Sequence, residues 1–241
     1  MRFYFINSWE FNMENFVCYD IQDVVNDFWE KNKDEKHRYR SFDFCYSHFY
    51  FSKINNKIDI EKSCYVLWSY LASWGMLRGS SFLLQKNPFY LKDLVEYIYS
   101  QDISVWEIDV DGYNDNIERI LNLYENVKER VILNAERELV LVTKILLGVF
   151  AIIPAYDTYF CETFRQFSDC KFRKFNKASL EAIHEFYLAN KDVIDELQTQ
   201  EQAKVCNFNG DETSLKYTKA KIIDMYGFEK SFSVDKLKIS K

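Results

Sequence analysis

A chain of 241 residues with a formal net charge of −6 and a pI near 5.3 is long enough for one large domain. Its acidic balance excludes the surplus of Lys and Arg that sequence-independent binding to phosphate backbones requires. Its 6 Gly and 2 Pro exclude a turn-rich β architecture, and its 21 Phe, 17 Tyr and 5 Trp exclude a disordered chain, because such rings bury enough surface to offset the entropy of ordering.

The expected fold class is all-α, a single globular domain over 1–241 of about eight to ten helices around two buried central ones. In chain order, residues 1–12 carry Phe3, Phe5 and Trp9 without helical spacing and predict an extended arm. From Asn15, Phe16, Val17, Ile21, Val24, Val25 and Phe28 recur at helical intervals opposite Asp20, Asp23 and Asp27, as in an amphipathic helix. The charged run 31–40 reads as a solvated connection, after which Ser41 can cap a second helix through Tyr50.

The first central helix is expected at 64–78, capped by Asp59 or Ser63. Gly75 would permit a close helix approach beside Trp68, Trp74 and Met76, and Gly79 is placed to end the helix. Pro88 opens a helix through Tyr99, and the β-branched stretch 103–110 reads as a short strand without an identifiable partner. Ile117, Ile120, Leu121, Tyr124 and Val127 predict a helix over 114–130. The second central helix is 139–153, apolar except for Thr143, Lys144 and Gly148; it is too short to cross a bilayer, which takes about 20 apolar residues. Pro154 ends it and Asp157 caps the next helix, to about 168. A helix at 178–198, a turn at 206–212, a last helix at 213–226 and a fraying basic tail at 229–241 complete the expected order.

Six cysteines without a CxxC pair, and an N-terminus without a signal-peptide pattern, predict a reduced, cytoplasmic protein. No cofactor or metal is expected. In DVDGYNDN the glycine falls at the wrong place for a calcium loop, and Cys45 and His48, with His37 and Cys64 further off, lack the paired spacing of a zinc site. Nucleophile-elbow, phosphate-loop and zinc-protease motifs are missing, so no catalytic group is identified from motif alone. Arg78 followed by Ser80 and Ser81 is a candidate for binding a phosphate or carboxylate. Lys171, Arg173, Lys174 and Lys177, interleaved with Phe172 and Phe175, are candidates for phosphate contact with a nucleic acid.

The order Thr143, Lys144, an apolar helix, Pro154, Asp157, Thr158, Phe164 and Arg165 resembles the segment after the hairpin in helix-hairpin-helix DNA glycosylases, over residues 143–165. The resemblance implies that Asp157 occupies the catalytic aspartate's position, while RELVLV stands where that family has its glycine-rich hairpin. The words SYLASWGMLRGSSFLL and TKILLGVFAIIPAYDTYF resemble a family of uncharacterised bacterial proteins, which implies a bacterial, cytoplasmic origin and supplies no activity. The functional expectation is a non-catalytic binding or interaction module, acting on a protein partner or its own copy and not on a membrane. The alternative is a degenerate glycosylase-like protein that contacts nucleic acid.

Overall fold

Side-chain caps set where several helices begin. Asp59 accepts from the Lys62 N–H at 2.9 Å and Asp157 from the Phe160 N–H at 3.1 Å. Asn176 and Ser179 form a reciprocal capping box. The computed structural model describes residues 16–132 and 138–239. Its elements are α1 (Ile21–Asn32), α2 (Arg40–Ile54), α3 (Ile60–Ser73), α4 (Lys92–Ser100), α5 (Tyr113–Val131), α6 (Leu139–Phe150), α7 (Thr158–Phe164), α8 (Lys177–Ala189), α9 (Lys191–Thr199), β1 (Lys204–Cys206), β2 (Glu212–Lys216) and α10 (Lys219–Ile239). Among the described residues the fold is all-α apart from one small antiparallel hairpin, which pairs Lys204 with Lys216 and Cys206 with Glu212. The arm expected at 1–12 lies outside the described residues.

The two expected central helices do meet. Every residue of α6 from Leu141 to Phe150 is buried, and Tyr70 of α3 lies across it, donating from its hydroxyl to the Lys144 carbonyl at 3.1 Å. The close approach is made at Gly148, not at Gly75: a Cβ on Gly148 would stand 2.3 Å from the Tyr70 ring. α3 itself keeps Glu61, Lys62, Tyr65 and Ser69 in solvent. It ends earlier than expected, at Ser73, in a Schellman motif: Met76 N–H donates to the Leu71 carbonyl at 2.8 Å and Gly75 N–H to Ala72 at 3.0 Å. The terminating left-handed residue is therefore Gly75, with φ 76°.

The other deeply buried helix is α10, whose residues 220–229 are all buried although Lys221, Asp224 and Glu229 are among them. These charges are matched. Lys221 pairs with Asp224 at 2.7 Å and lies 4.5 Å from the Phe42 ring centre, and Glu229 pairs with Lys31 and accepts from the Tyr39 hydroxyl. Helix continues through Ile239, into the tail expected to fray from 229. Residues 213–216, expected to open this helix, are instead strand β2.

Two further expectations change. Residues 103–110 form no strand: Asp102 caps the Ser104 N–H at 2.9 Å and Asp109 the Val110 N–H at 2.7 Å, which folds the segment into 3-10 turns. The helix expected at 178–198 breaks at Asn190, whose buried amide donates to the carbonyls of Phe186 (2.8 Å) and Phe16 (2.7 Å) and accepts from Cys18 N–H (2.8 Å).

Asp109 also starts α10, accepting from the N–H groups of Lys219 (2.8 Å) and Ala220 (2.9 Å). Burial outweighs these donors and pushes its carboxyl up to about 6. An unfolded aspartate titrates near ~4, so the folded protein keeps a proton that the unfolded chain releases. Its stabilising contribution is complete below the unfolded value and is lost as pH rises through about 6. Stability should fall by up to about 3 kcal/mol across that window. Urea denaturation at stepped pH checks this; Asp109→Asn should flatten the slope.

Candidate functional site

Three segments meet around a cavity of about 710 Å³ that brings together both groups of candidates singled out in the sequence, Arg78, Ser80 and Ser81 on one side and Asp157 on the other. The 75–83 loop arrives by the Schellman turn at the end of α3. A Cβ on Gly75 would come within 2.9 Å of the Arg78 Nε, so this glycine also leaves room for the guanidinium to fold back. Arg78 makes no ion pair among the described residues, and Ser80 no side-chain hydrogen bond. Ser81 accepts from the Leu83 N–H at 3.3 Å, which leaves its hydroxyl hydrogen free to donate.

Asp157 is placed by the extended segment that links α6 to α7. That segment turns at Ala151, which adopts φ 57° before Pro154 is reached. Side chains then hold it: Thr218 donates to the Ala151 carbonyl (2.6 Å), Asp224 accepts from Ala155 N–H (3.0 Å), and Thr143 accepts from Tyr156 N–H (3.0 Å). Asp157 consequently combines its cap with an ion pair to Lys144 at 3.6 Å.

Lys144 is the residue whose role the sequence did not reveal. Its side chain is only 6% exposed, donates to the Trp74 carbonyl at 2.8 Å and lines the cavity floor. Burial pulls its ammonium below the usual lysine range, with Asp157 opposing the shift. Burial likewise pushes the Asp157 carboxyl up, with Lys144 opposing it. The Trp74 ring is the common neighbour of three cations, with Arg38 at 5.5 Å, Lys144 at 5.8 Å and Lys221 at 5.3 Å from its centre. A lone lysine inside a run with no other charge was the available sign of this position; its partners come from distant segments.

The walls are mixed. Met76, Phe82, Leu83 and Tyr159 are apolar or aromatic, and Val140 and Leu141 belong to the first turn of α6, whose N-terminus has no side-chain cap. Among the described residues the charged lining is two cations, Arg78 and Lys144, against one carboxylate, Asp157. Such an interior suits a ligand with an apolar body and an anionic group.

The basic cluster does not join this cavity. Lys171, Arg173, Lys174 and Lys177 are exposed, and Lys177 pairs with Glu181 at 3.7 Å. The interleaved rings face inward: Phe172 is buried and Phe175 stacks on Tyr124 with centroids 4.3 Å apart, so neither is presented to a base. Cys45 is buried, His48 hydrogen-bonds to Ser63 at 2.8 Å, and no group of three or more His, Cys, Asp or Glu among the described residues could hold a metal ion. Among the described residues no helix is long and apolar enough to cross a membrane.

The fold and site define an all-α domain with a cation-lined cavity at the junction of α3, α6 and α7. No protein-family model matches the chain, and neither a curated protein nor a solved structure matches it.

Proposed function

We propose that the protein is a non-catalytic binding module whose ligand is a small molecule carrying a phosphate or carboxylate, held in the cavity between the 75–83 loop, α6 and α7. One observation carries the reading: Arg78, without an ion pair among the described residues, projects over Gly75 into a cavity whose other cation, Lys144, already has Asp157. An anion between the guanidinium and the Ser80 and Ser81 hydroxyls would take charge-assisted hydrogen bonds, and the apolar wall would hold the ligand body. Lys144 and Asp157 are tied to each other and to backbone groups, which supports a role as the floor of a binding site over turnover. A protein partner is the weaker form of the same reading, since the aromatic excess lies mostly in the core. The exposed rings among the described residues are Tyr19, Tyr65, Phe89 and Phe208.

Thermal-shift and calorimetric titration with inorganic phosphate and a panel of phosphorylated and carboxylated metabolites tests the proposal. Saturable stabilisation is expected, and Arg78→Ala should weaken it by about 10- to 100-fold, the worth of one charge-assisted pair, with Arg78→Lys intermediate. No stabilisation by any anion, or an Arg78→Ala protein that binds as the parent does, would remove the reading.

A further inference from the structure

A second cavity, of about 960 Å³, lies between α2, the N-terminal end of α3 and the hairpin, and shares no lining residue with the first. Three features of its walls converge. The first is Phe208 at the hairpin tip, an apolar ring left 82% exposed and touching Phe44 edge-on, with centroids 5.3 Å apart. The tip is braced. Asn207 Oδ1 accepts from the N–H groups of Asn209 (2.8 Å) and Asp211 (3.1 Å), and Asp43 accepts from Cys206 N–H at 3.1 Å, tying the hairpin to α2. The ring is therefore displayed on an ordered support, with most of its surface uncovered.

The second feature is charge. Lys57 and Lys62 line the cavity, are exposed, and form no ion pair among the described residues, in a chain whose net charge is −6. Of the two acidic residues between them, Asp59 lines the cavity and spends one oxygen capping α3, while Glu61 is exposed and is not part of the lining. The third is the tautomer of His48. The single hydroxyl hydrogen of Ser63 goes to the Asp59 carbonyl at 2.6 Å, so the two other groups at that oxygen, Tyr99 hydroxyl and His48 Nε2, both at 2.8 Å, must donate to it. His48 Nδ1 then carries the lone pair and is an acceptor on a cavity-lining side chain. Burial holds this imidazole down to about 4, so it stays an acceptor at neutral pH.

We propose that this second cavity binds a nucleotide, free or within a single strand, with the base against Phe208, an amino group of the base donating to His48, and the phosphate held by Lys57 and Lys62. An aromatic face serves any base, a neutral imidazole acceptor favours bases with an exocyclic amine, and paired lysines act as point charges for phosphate. The inference rests on residues separate from those of the first cavity and from the basic cluster at 171–177.

Calorimetric titration of the 241-residue chain with AMP, CMP, GMP and UMP, with a short mixed-sequence single strand, and with the matching duplex tests it. Saturable binding is expected, with CMP, AMP or GMP preferred to UMP. Phe208→Ala alters an exposed side chain, so the fold should survive, as circular dichroism would verify, while affinity drops by about tenfold or more. Lys57→Glu with Lys62→Glu should weaken binding and flatten its salt dependence. Arg78→Ala, in the other cavity, should leave it unchanged. A strand bound far more tightly than a mononucleotide identifies single-stranded nucleic acid as the source; equal affinities identify the free nucleotide. Absence of binding by every probe, duplex bound as tightly as single strand, or affinity untouched by both Phe208→Ala and the lysine reversals would overturn the proposal.

Discussion

Replacing Gly148 by alanine is expected to destabilise the protein by about 3 kcal/mol or more, a large share of the ~5–15 kcal/mol that holds a domain together. At an exposed helical site the same change would stabilise by about 1 kcal/mol, because alanine is the better helix former. The sign is reversed here by packing. The new Cβ would meet ring atoms of Tyr70 at 2.3, 2.5 and 2.8 Å, and that ring is buried and anchored by its hydroxyl to the Lys144 carbonyl. A rigid ring between two helices has nowhere to swing, so α3 and α6 would have to separate and lose the contacts of both faces. Denaturant midpoints measure the effect, and Tyr70→Leu in the same chain should recover part of the loss. A Gly148→Ala protein at least as stable as the parent would show that α3 and α6 do not approach this closely in solution.

The second large effect is expected at the cavity floor. Asp157→Asn keeps a side-chain oxygen to cap α7 but removes the carboxylate paired with Lys144, leaving a buried ammonium hydrogen-bonded to the Trp74 carbonyl at 2.8 Å with no ion-pair partner among the described residues. Losing one partner of a buried pair costs about 3–5 kcal/mol. The intact pair also carries a cost, whose sign follows from the two shifts. The Asp157 carboxyl is raised by burial, so its stabilising contribution exists below the unfolded carboxyl value and is lost as pH rises. The Lys144 ammonium is lowered by burial, so its contribution exists above the unfolded lysine value and is lost as pH falls. Each contribution diminishes as the pH approaches neutrality from its own side. The double substitution Lys144→Met with Asp157→Asn should therefore be at least as stable as the parent near pH 7, although Asp157→Asn alone is not. Raising the pH toward the lysine's deprotonation should restore part of the single variant's stability. Chemical denaturation of parent, single and double variants at stepped pH measures each comparison. A double variant as unstable as Asp157→Asn would locate the loss in the cap and not in the charge.

The same pair marks where sequence reading of the site stopped. Arg78, Ser80 and Ser81 stand out as the polar group at the end of an apolar run, and Asp157 because it follows Pro154 at a helix start; both are local features. That the two groups line one cavity is not local. It depends on Thr143, Thr218 and Asp224 holding the 151–157 segment against α6, which no spacing in the sequence encodes. The basic cluster shows the converse: Phe172 and Phe175 alternate with Lys and Arg as in a base-binding strip, yet both rings face the core.

The sequence by itself determined the helical class, the buried character of α6, the turn at 206–212 and the cap at Asp157, and it narrowed the α3 cap to Asp59 or Ser63, because periodicity, glycine scarcity and capping act within a few residues. Tertiary structure alone decided that residues 220–229 of α10 are buried like residues 141–150 of α6. Its Lys221, Asp224 and Glu229 are buried because Ala155, Lys31, Tyr39 and the rings around Trp74 supply their partners. It also decided which glycine serves which purpose, Gly75 ending α3 and Gly148 admitting Tyr70. The physical reason is common to both cases. A charge can be buried, or a side chain dispensed with, only in relation to atoms brought from elsewhere in the chain, and such relations leave no local trace.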